Sequence, residues 1–166
     1  MDLLESGEKV NPQFFSSATE FMRGFADQCH HAKEEGILFS QMKQQGIAME
    51  GCPLGVMLAE HECGRQYTRA LTSATQAMQA GDESGSRRAI MSSRSYIALL
   101  RLHIYKEDNI LFPMADQVIP PGQNALIMNA FEQVEKIETG EGFYEKYEAL
   151  AEALERDIQS YSHKAQ

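Results

Sequence analysis

The chain has 166 residues, the length of a single domain spanning 1–166 that can bury one hydrophobic core without metal or disulfide support. Its 24 acidic and 15 basic residues give a formal net charge of −9, and no cluster of lysines and arginines is long enough to follow a phosphate backbone. The composition therefore argues against nucleic acid and anionic membrane surfaces as partners, and no apolar run approaches the roughly 20 residues that cross a bilayer.

The three cysteines, Cys29, Cys52 and Cys63, form no CxxC pair. An odd number of cysteines in a chain without a cleavable leader is typical of a reducing compartment rather than of a secreted disulfide scaffold. We therefore expect a cytoplasmic protein whose cysteines are packed in the interior or spare.

Clusters of proline and glycine divide the chain, and the segments between them are rich in residues that favour helix. The first predicted helix covers 12–45, with Asn11 as its cap and Pro12 in its first turn. The following helices are predicted over 53–80, 84–118, 123–138 and 142–163, and no segment alternates as a strand would. The fold class is all-α, an antiparallel up-down helical bundle, in which sites are commonly built from side chains of facing helices.

The first and third predicted helices carry the same sequence pattern. "HHAKEEGILF" begins at His30 and "HIYKEDNILF" at His103, and both read H-x-x-K-E-[ED]-x-I-L-F. Residues four apart lie on one face of a helix, so His30 with Glu34, and His103 with Glu107, each present a nitrogen and an oxygen to the same point. Each pair is half of a metal site.

The apolar residues around these pairs indicate that they point inward. The stripe that holds His103 and Glu107 also contains Tyr96, Leu99, Leu100, Ile110, Leu111 and Met114. His31 and Glu35 are also four residues apart, so the first copy of the motif allows either His30 with Glu34 or His31 with Glu35 as its ligand pair. The match with the second copy favours His30 with Glu34. His61, on the apolar face of the second predicted helix, adds a further imidazole to the same interior.

Three inward helices that carry histidine and glutamate predict a metal centre. Buried carboxylates and imidazoles without partners cost several kcal/mol when charged, and a cation compensates them directly. Mixed nitrogen and oxygen ligands with no CxxC favour iron or manganese over structural zinc, although zinc suits the same ligands.

The stretches "FADQCHHAKEEGILF", "PLGVMLAEHECGR" and "LLRLHIYKEDNILFPMA" resemble the hemerythrin-like, or HHE cation-binding, family of di-iron four-helix bundles, and specifically its stand-alone prokaryotic members. Two HxxxE copies with an EH between them make a specific signal, and the similarity covers nearly the whole chain. The resemblance implies a ligand set of His30, Glu34, His61, His103 and Glu107. It further implies that the two glutamates bridge two irons, that His61 is a terminal ligand, and that His31 is a ligand as in some members.

The chain departs from the family in one respect. Members usually begin with a further helix that carries a histidine in an "EHR"-like setting, whereas no histidine precedes His30 here. "MDLLESGEKVNPQFF" resembles the end of that helix and its connection to the next. The resemblance therefore implies a bundle with its first helix truncated or absent, extra C-terminal helices and one under-coordinated iron. We expect the resulting hydrophobic groove to be covered by the C-terminal helices or by a second chain in a homodimer.

The leading functional hypothesis is a non-haem di-iron protein that binds or senses dioxygen or a related small ligand such as nitric oxide. The same ligands also suit a di-iron oxidase, a peroxide-consuming protein or an iron-sulphur-repair protein. A third hypothesis is a structural or regulatory bundle controlled by its metal. The sequence has no obvious proton relay, so it leaves open whether the protein is an enzyme.

Overall fold

The computed structural model describes residues 10–51, 53–136 and 140–164, with side chains described through Ser160. Helix α1 covers 12–44 as the consecutive segments Pro12–Phe21, Met22–His31, Glu34–Leu38 and Phe39–Gln44, and α2 is Leu54–Gln79. Helix α3 covers 84–118 as Ser84–Lys106, Glu107–Leu111 and Phe112–Val118. Helix α4 is Asn124–Val134, after the 3-10 turn Pro121–Gln123, and α5 is Phe143–Lys164. The described part of the chain contains no strand, which confirms the all-α prediction.

The start of α1 shows why the sequence predicted the helix boundaries well. The side chain of Asn11 accepts a hydrogen bond from the backbone N–H of Gln13 at 3.0 Å, and Pro12 occupies the first turn. Asparagine satisfies an otherwise unpaired backbone donor, and proline has none to satisfy. The predicted helices agree with the structure to within a few residues, and the predicted end of the fourth helix at 137–138 lies outside the described residues.

Helices α1, α2 and α3 form the antiparallel part of the bundle. His61 of α2 contacts Glu34 of α1, and Arg65, one turn later on α2, contacts Asp27, which lies earlier on α1. The two helices therefore run antiparallel. The Nδ1 atom of His103 on α3 contacts Glu60 of α2. These contacts bring the middle of each helix to one level of the bundle.

Two hydrophobic clusters flank that level. One lies where α1 ends, α2 begins and α3 ends, and consists of Phe39, Met42, Leu54, Met57, Leu111, Ala115, Ile119 and Ile127. The other lies towards the opposite end and consists of Phe15, Leu71, Ala74 and Ala89. Because both ends of the bundle are packed with apolar side chains, the polar residues between them are held at a fixed depth.

The C-terminal helix α5 packs on α1 through aromatic rings. Phe25 lies 6.3 Å from the ring centre of Phe143 and 5.9 Å from that of Tyr147. Gly24 makes this approach possible, because a Cβ at that position would lie 1.6 Å from the Tyr147 hydroxyl oxygen. A C-terminal helix therefore covers part of α1.

The outward face of α3 carries large apolar side chains that are open to solvent. Leu102 and Tyr105 are each 62% exposed, and Met91 is 63% exposed. That a second chain covers a hydrophobic groove in a homodimer stays a prediction. The exposed face of α3 is a surface on which that prediction can be tested.

Candidate metal centre

The two copies of the repeated motif share an unusual backbone turn. At Glu34–Leu38 and again at Glu107–Leu111 the helix widens to π-type hydrogen bonding, and the N–H of the residue that follows each turn donates to the carbonyl of the motif glutamate. π turns inside α-helices frequently occur at functional sites. In α3 the wide turn also accommodates Pro113, which has no N–H to donate and crowds the preceding turn.

Four buried side chains from three helices meet between the two hydrophobic clusters. One nitrogen or oxygen from each of Glu34, His61, His103 and Glu107 lies within 4.8 Å of the others. The Nε2 atom of His61 is 3.4 Å from Oε2 of Glu34, and Nε2 of His103 is 3.0 Å from Oε1 of Glu107. The arrangement gathers two imidazole nitrogens and two carboxylates at a point away from water.

The inward atoms of this cluster are not hydrogen-bonded. Both oxygens of Glu34, Nε2 of His61, Nε2 of His103 and Oε1 of Glu107 are buried with no hydrogen-bond partner among the described residues. The 3.0 Å contact between His103 and Glu107 does not have hydrogen-bond orientation, because both atoms turn towards the centre of the cluster. Unsatisfied buried polar atoms are rare and costly, so this donor set fits a cation that accepts nitrogen and oxygen ligands.

Each buried imidazole is held from behind by a carboxylate. The Nδ1 atom of His61 lies 2.7 Å from Oε1 of Glu35, and Nδ1 of His103 lies 3.1 Å from Oε2 of Glu60. With Nδ1–H donating to a carboxylate, Nε2 keeps the lone pair that a metal requires. Metal-binding histidines in proteins are commonly oriented by this kind of outer contact.

A cation in turn contacts each of these carboxylates. Arg65 lies 3.2 Å from Glu35, and Lys106 contacts Glu60. Lys33, the counterpart of Lys106 in the repeat, contacts Glu135 at 2.7 Å. Both lysines therefore pair with acids, but only Lys106 contacts a carboxylate that holds a buried histidine.

The two adjacent histidines of the first motif occupy different places. The Nε2 atom of His30 lies 3.7 Å from Glu34 and 3.8 Å from Glu107, and its side chain is 43% exposed at the rim of the cluster. His31 is 12% exposed, and its ring stacks on that of His61 with centroids 3.9 Å apart. One nitrogen each of His31, His61 and His103 also lie within 4.8 Å of one another.

The protonation of the site follows from these neighbours. Glu107 raises the pKa of His30 against the opposing effect of burial. Burial would raise the pKa of Glu107, but His103 and His30 hold it well below its usual range. Burial and the nearby imidazoles of His61 and His30 lower the pKa of His31 to about 3. His31 is therefore neutral at physiological pH, which is the form that binds metal.

A cleft of about 210 Å³ reaches the site from the side of His31. Its walls include Met22 on α1, Gly64 and Thr68 on α2, and Tyr96 on α3. A Cβ at Gly64 would meet its nearest neighbour, the Tyr96 ring, only at 3.8 Å. The cleft therefore leaves space for a small molecule beside the stacked histidines.

Sequence reasoning did not identify the outer residues Glu60, Asp27 and Arg65. Asp27 lies four residues before His31, and Arg65 four residues after His61, so helical spacing is the signal that could have identified these two. Glu35 was considered as a partner of His31, whereas the structure places it against His61 and pairs His31 with Asp27 at 3.4 Å. These pairings depend on how far the helices are shifted along one another, and no pattern within a single helix determines that shift.

The fold and the cluster together define an all-α protein with a buried histidine and carboxylate centre of the kind that binds cations. The chain matches the profile of the Hemerythrin HHE cation binding domain over residues 1–115, and it belongs to that family. No solved structure matches the chain at a significant level.

Bacterial proteins are similar to different parts of the chain. Uncharacterized proteins of Mycobacterium tuberculosis and Mycobacterium bovis are each 23% identical over 159 residues, which is 95% of this chain and 61% of theirs. A probable iron-sulfur cluster repair protein of Haemophilus influenzae is 37% identical over 86 residues, 51% of this chain and 39% of that protein. The chain thus spans less than two thirds of the length of these relatives.

Across the described ranges, none of the helices combines the length and the apolar character that a membrane span needs.

Proposed function

We propose that the bundle holds a di-iron centre and that the protein binds or senses dioxygen or a related small ligand such as nitric oxide. The observation that carries the proposal is the convergence of Glu34, His61, His103 and Glu107, which together carry five buried nitrogen and oxygen atoms without a hydrogen-bond partner among the described residues. Nitrogen and oxygen ligands in this combination suit iron, with manganese and zinc as competitors for the same ligands. The cysteine content keeps the cytoplasm as the predicted location.

The proposed ligands divide into an inner and an outer group. The inner position would be held by His61 and His103 together with the two glutamates, Glu34 and Glu107. The outer position would be held by His30 at the rim and would share the same two glutamates as bridges. Iron at these positions supplies the ability to bind and reduce small oxygen- or nitrogen-containing molecules.

The residues around the centre would control access to it. His31 forms the inner wall of the cleft, because its ring lies between the cleft and His61. In the proposal His31 is either a further ligand or the group that a small molecule passes on its way in. The outer position has few protein donors and a partly exposed His30, so it is the place where a small ligand would find an open coordination site.

A second candidate function rests on the similarity to the Haemophilus influenzae protein. That similarity covers about half of this chain, and that relative is a probable iron-sulfur cluster repair protein. The same centre would then act as an enzyme that consumes oxygen or peroxide or delivers iron. Turnover of peroxide, or restoration of a damaged cluster in a test protein, would favour this candidate over reversible ligand binding.

A third candidate, a regulatory bundle, is favoured by the exposed apolar face of α3. In that case the association state would change with iron while no small ligand binds. Sedimentation of the protein with and without iron separates this candidate from the other two.

The first test is metal analysis of protein purified from iron-replete cells. We expect about two irons per chain and a charge-transfer band when the reduced protein meets oxygen or nitric oxide. The variant His61→Ala should lose metal, whereas His163→Ala, which changes a histidine outside the proposed ligand set, should keep it. A wild-type protein without metal, or a His61→Ala variant that keeps it fully, would contradict the proposal.

A further inference from the structure

We propose that Arg65 is a positioning residue that fixes the stacked rings of His61 and His31 for metal binding. The inference rests on the proposed metal centre and adds a residue that lies outside the ligand set. Among the described residues, Arg65 forms hydrogen bonds and ion pairs with carboxylates and with neither ring. It acts through two carboxylates of α1, Glu35 and Asp27.

The guanidinium of Arg65 joins α2 to α1. Its Nη1 atom lies 2.8 Å from Oδ1 of Asp27 and 3.2 Å from Oε1 of Glu35. Its Nε atom donates to Glu62 at 3.0 Å, which fixes the plane of the group from its own helix. One planar cation therefore holds two carboxylates that lie eight residues apart on α1.

Each of these carboxylates contacts one ring of the stacked pair. Glu35 lies 2.7 Å from Nδ1 of His61, and Asp27 lies 3.4 Å from Nδ1 of His31. The two rings are 3.9 Å apart and inclined by only 11°. Because both Nδ1 atoms are engaged from the outer side, the Nε2 atom of His61 is the one left with a free lone pair, and it is one of the unsatisfied inward atoms.

Arginine suits this position better than lysine would. Its Nη1 atom holds both carboxylates of α1 while Glu62 holds its Nε atom, so the rigid plane fixes the direction of the donors, whereas a lysine ammonium is a compact point charge. The chain itself offers the comparison, because Lys106 contacts the single carboxylate of Glu60 behind His103. Without the guanidinium, Asp27 and Glu35, which are 25% and 29% exposed, would be free to turn to water.

The test compares Arg65→Met and Arg65→Lys with wild type, with Arg88→Met as the matched control. Arg88 is a surface arginine of α3 that pairs with Asp82. The first readout is the ring tautomer of His61 in the metal-free protein, measured by nitrogen-15 NMR. The second is the affinity for Co²⁺, measured by competition with a chelator, together with the absorption spectrum of the bound cobalt.

We expect Arg65→Met to lose the Nδ1–H tautomer of His61 and to bind Co²⁺ about 10- to 100-fold more weakly with an altered spectrum. Arg65→Lys should restore part of the affinity, and Arg88→Met should match wild type. If Arg65 acts through Glu35 and Asp27, adding Arg65→Met to the double variant Glu35→Gln/Asp27→Asn should weaken cobalt binding little further.

Two results would overturn the inference. One is an Arg65→Met variant with the wild-type tautomer and cobalt affinity. The other is a loss of affinity on adding Arg65→Met to Glu35→Gln/Asp27→Asn that is as large as the loss in Arg65→Met alone, which would mean that Arg65 acts independently of both carboxylates. Wild-type protein that binds no cobalt would instead contradict the proposed function, and the tautomer measurement would still decide the role of Arg65. If Arg65→Met does not fold, Arg65→Lys and Glu35→Gln carry the same comparison.

Discussion

Replacing Glu34 by methionine should stabilise the metal-free protein while destroying its metal site. Glu34 has a side chain that is only 5% exposed, and neither of its carboxylate oxygens has a hydrogen-bond partner among the described residues. Methionine is unbranched, of similar length and apolar, so it fills the same space without presenting unsatisfied atoms. The metal-free structure therefore carries a cost at this position that only a cation removes.

The magnitude follows from the surroundings of the carboxylate. A buried polar atom without a partner costs roughly 1–3 kcal/mol, so the two oxygens together cost roughly 2–6 kcal/mol. Attraction to the partly exposed His30 at 3.7 Å offsets at most about 1 kcal/mol of this cost, and repacking around a methionine of similar volume costs less than about 1.5 kcal/mol. We expect Glu34→Met to raise the free energy of unfolding of metal-free protein by about 1–4 kcal/mol.

The assay is urea unfolding of wild type and variant, each with a chelator and with saturating metal. Metal at a hundred times its dissociation constant adds about 2.7 kcal/mol to the free energy of unfolding of the wild type and nothing to that of a variant that cannot bind it. Metal should therefore narrow or reverse the difference in stability between Glu34→Met and wild type. Glu132→Met, which changes an exposed acid of α4 paired with Lys136, is the control and should shift stability by no more than about 0.5 kcal/mol. A Glu34→Met protein that is less stable than wild type in chelator would refute the reasoning.

Three further predictions concern the rest of the bundle. Gly24→Ala should destabilise the protein by about 1–3 kcal/mol in urea unfolding, because its Cβ would collide with Tyr147, whereas Gly64→Ala, whose Cβ would make only ordinary contacts with Tyr96 and Leu99, should be neutral or stabilising. His31 has a folded pKa of about 3, below its unfolded value of 6.5, so the unfolded state binds protons first. The stability of chelated wild type should therefore fall relative to His31→Asn by up to about 1.4 kcal/mol per pH unit as the pH drops from 6.5 towards 3, and equal slopes would contradict this. If the exposed face of α3 is a homodimer interface, Leu102→Glu should yield monomers in sedimentation velocity with unchanged helix content, and an unchanged association state would argue against that interface.

The sequence predicted what depends on contacts along a single helix. The spacing of His103 and Glu107 places them on one face whatever the other helices do, and the structure shows both buried in the same cluster. What it did not predict depends on the register between helices. Glu60 precedes His61 in the chain, yet it contacts His103 on another helix, and no local pattern contains that pairing.

Depth within the bundle is a second property that spacing does not determine. His30 and His103 are equivalent in the repeat, and each lies four residues before a buried glutamate, Glu34 or Glu107. His103 is nevertheless 4% exposed, whereas the His30 side chain is 43% exposed. Helical periodicity assigns both histidines to an inward face but does not say whether a further helix covers that face.

The difference in exposure between His30 and His103 gives a reason why the two copies of the motif would play different parts in metal binding. His103 is held by Glu60 from behind, with Lys106 contacting that carboxylate, so its ring has little freedom to turn. Lys33, the equivalent of Lys106 in the first copy, instead contacts Glu135 in the segment that follows α4. His30 is thus left at the rim, 3.7 and 3.8 Å from the two glutamates that face the buried cluster. A fixed inner imidazole holds a metal in place, whereas a more exposed outer imidazole leaves room for a further ligand. In the proposed di-iron centre, a bundle built from two equal motifs would thereby obtain one closed and one open position, because the helices around the two copies differ.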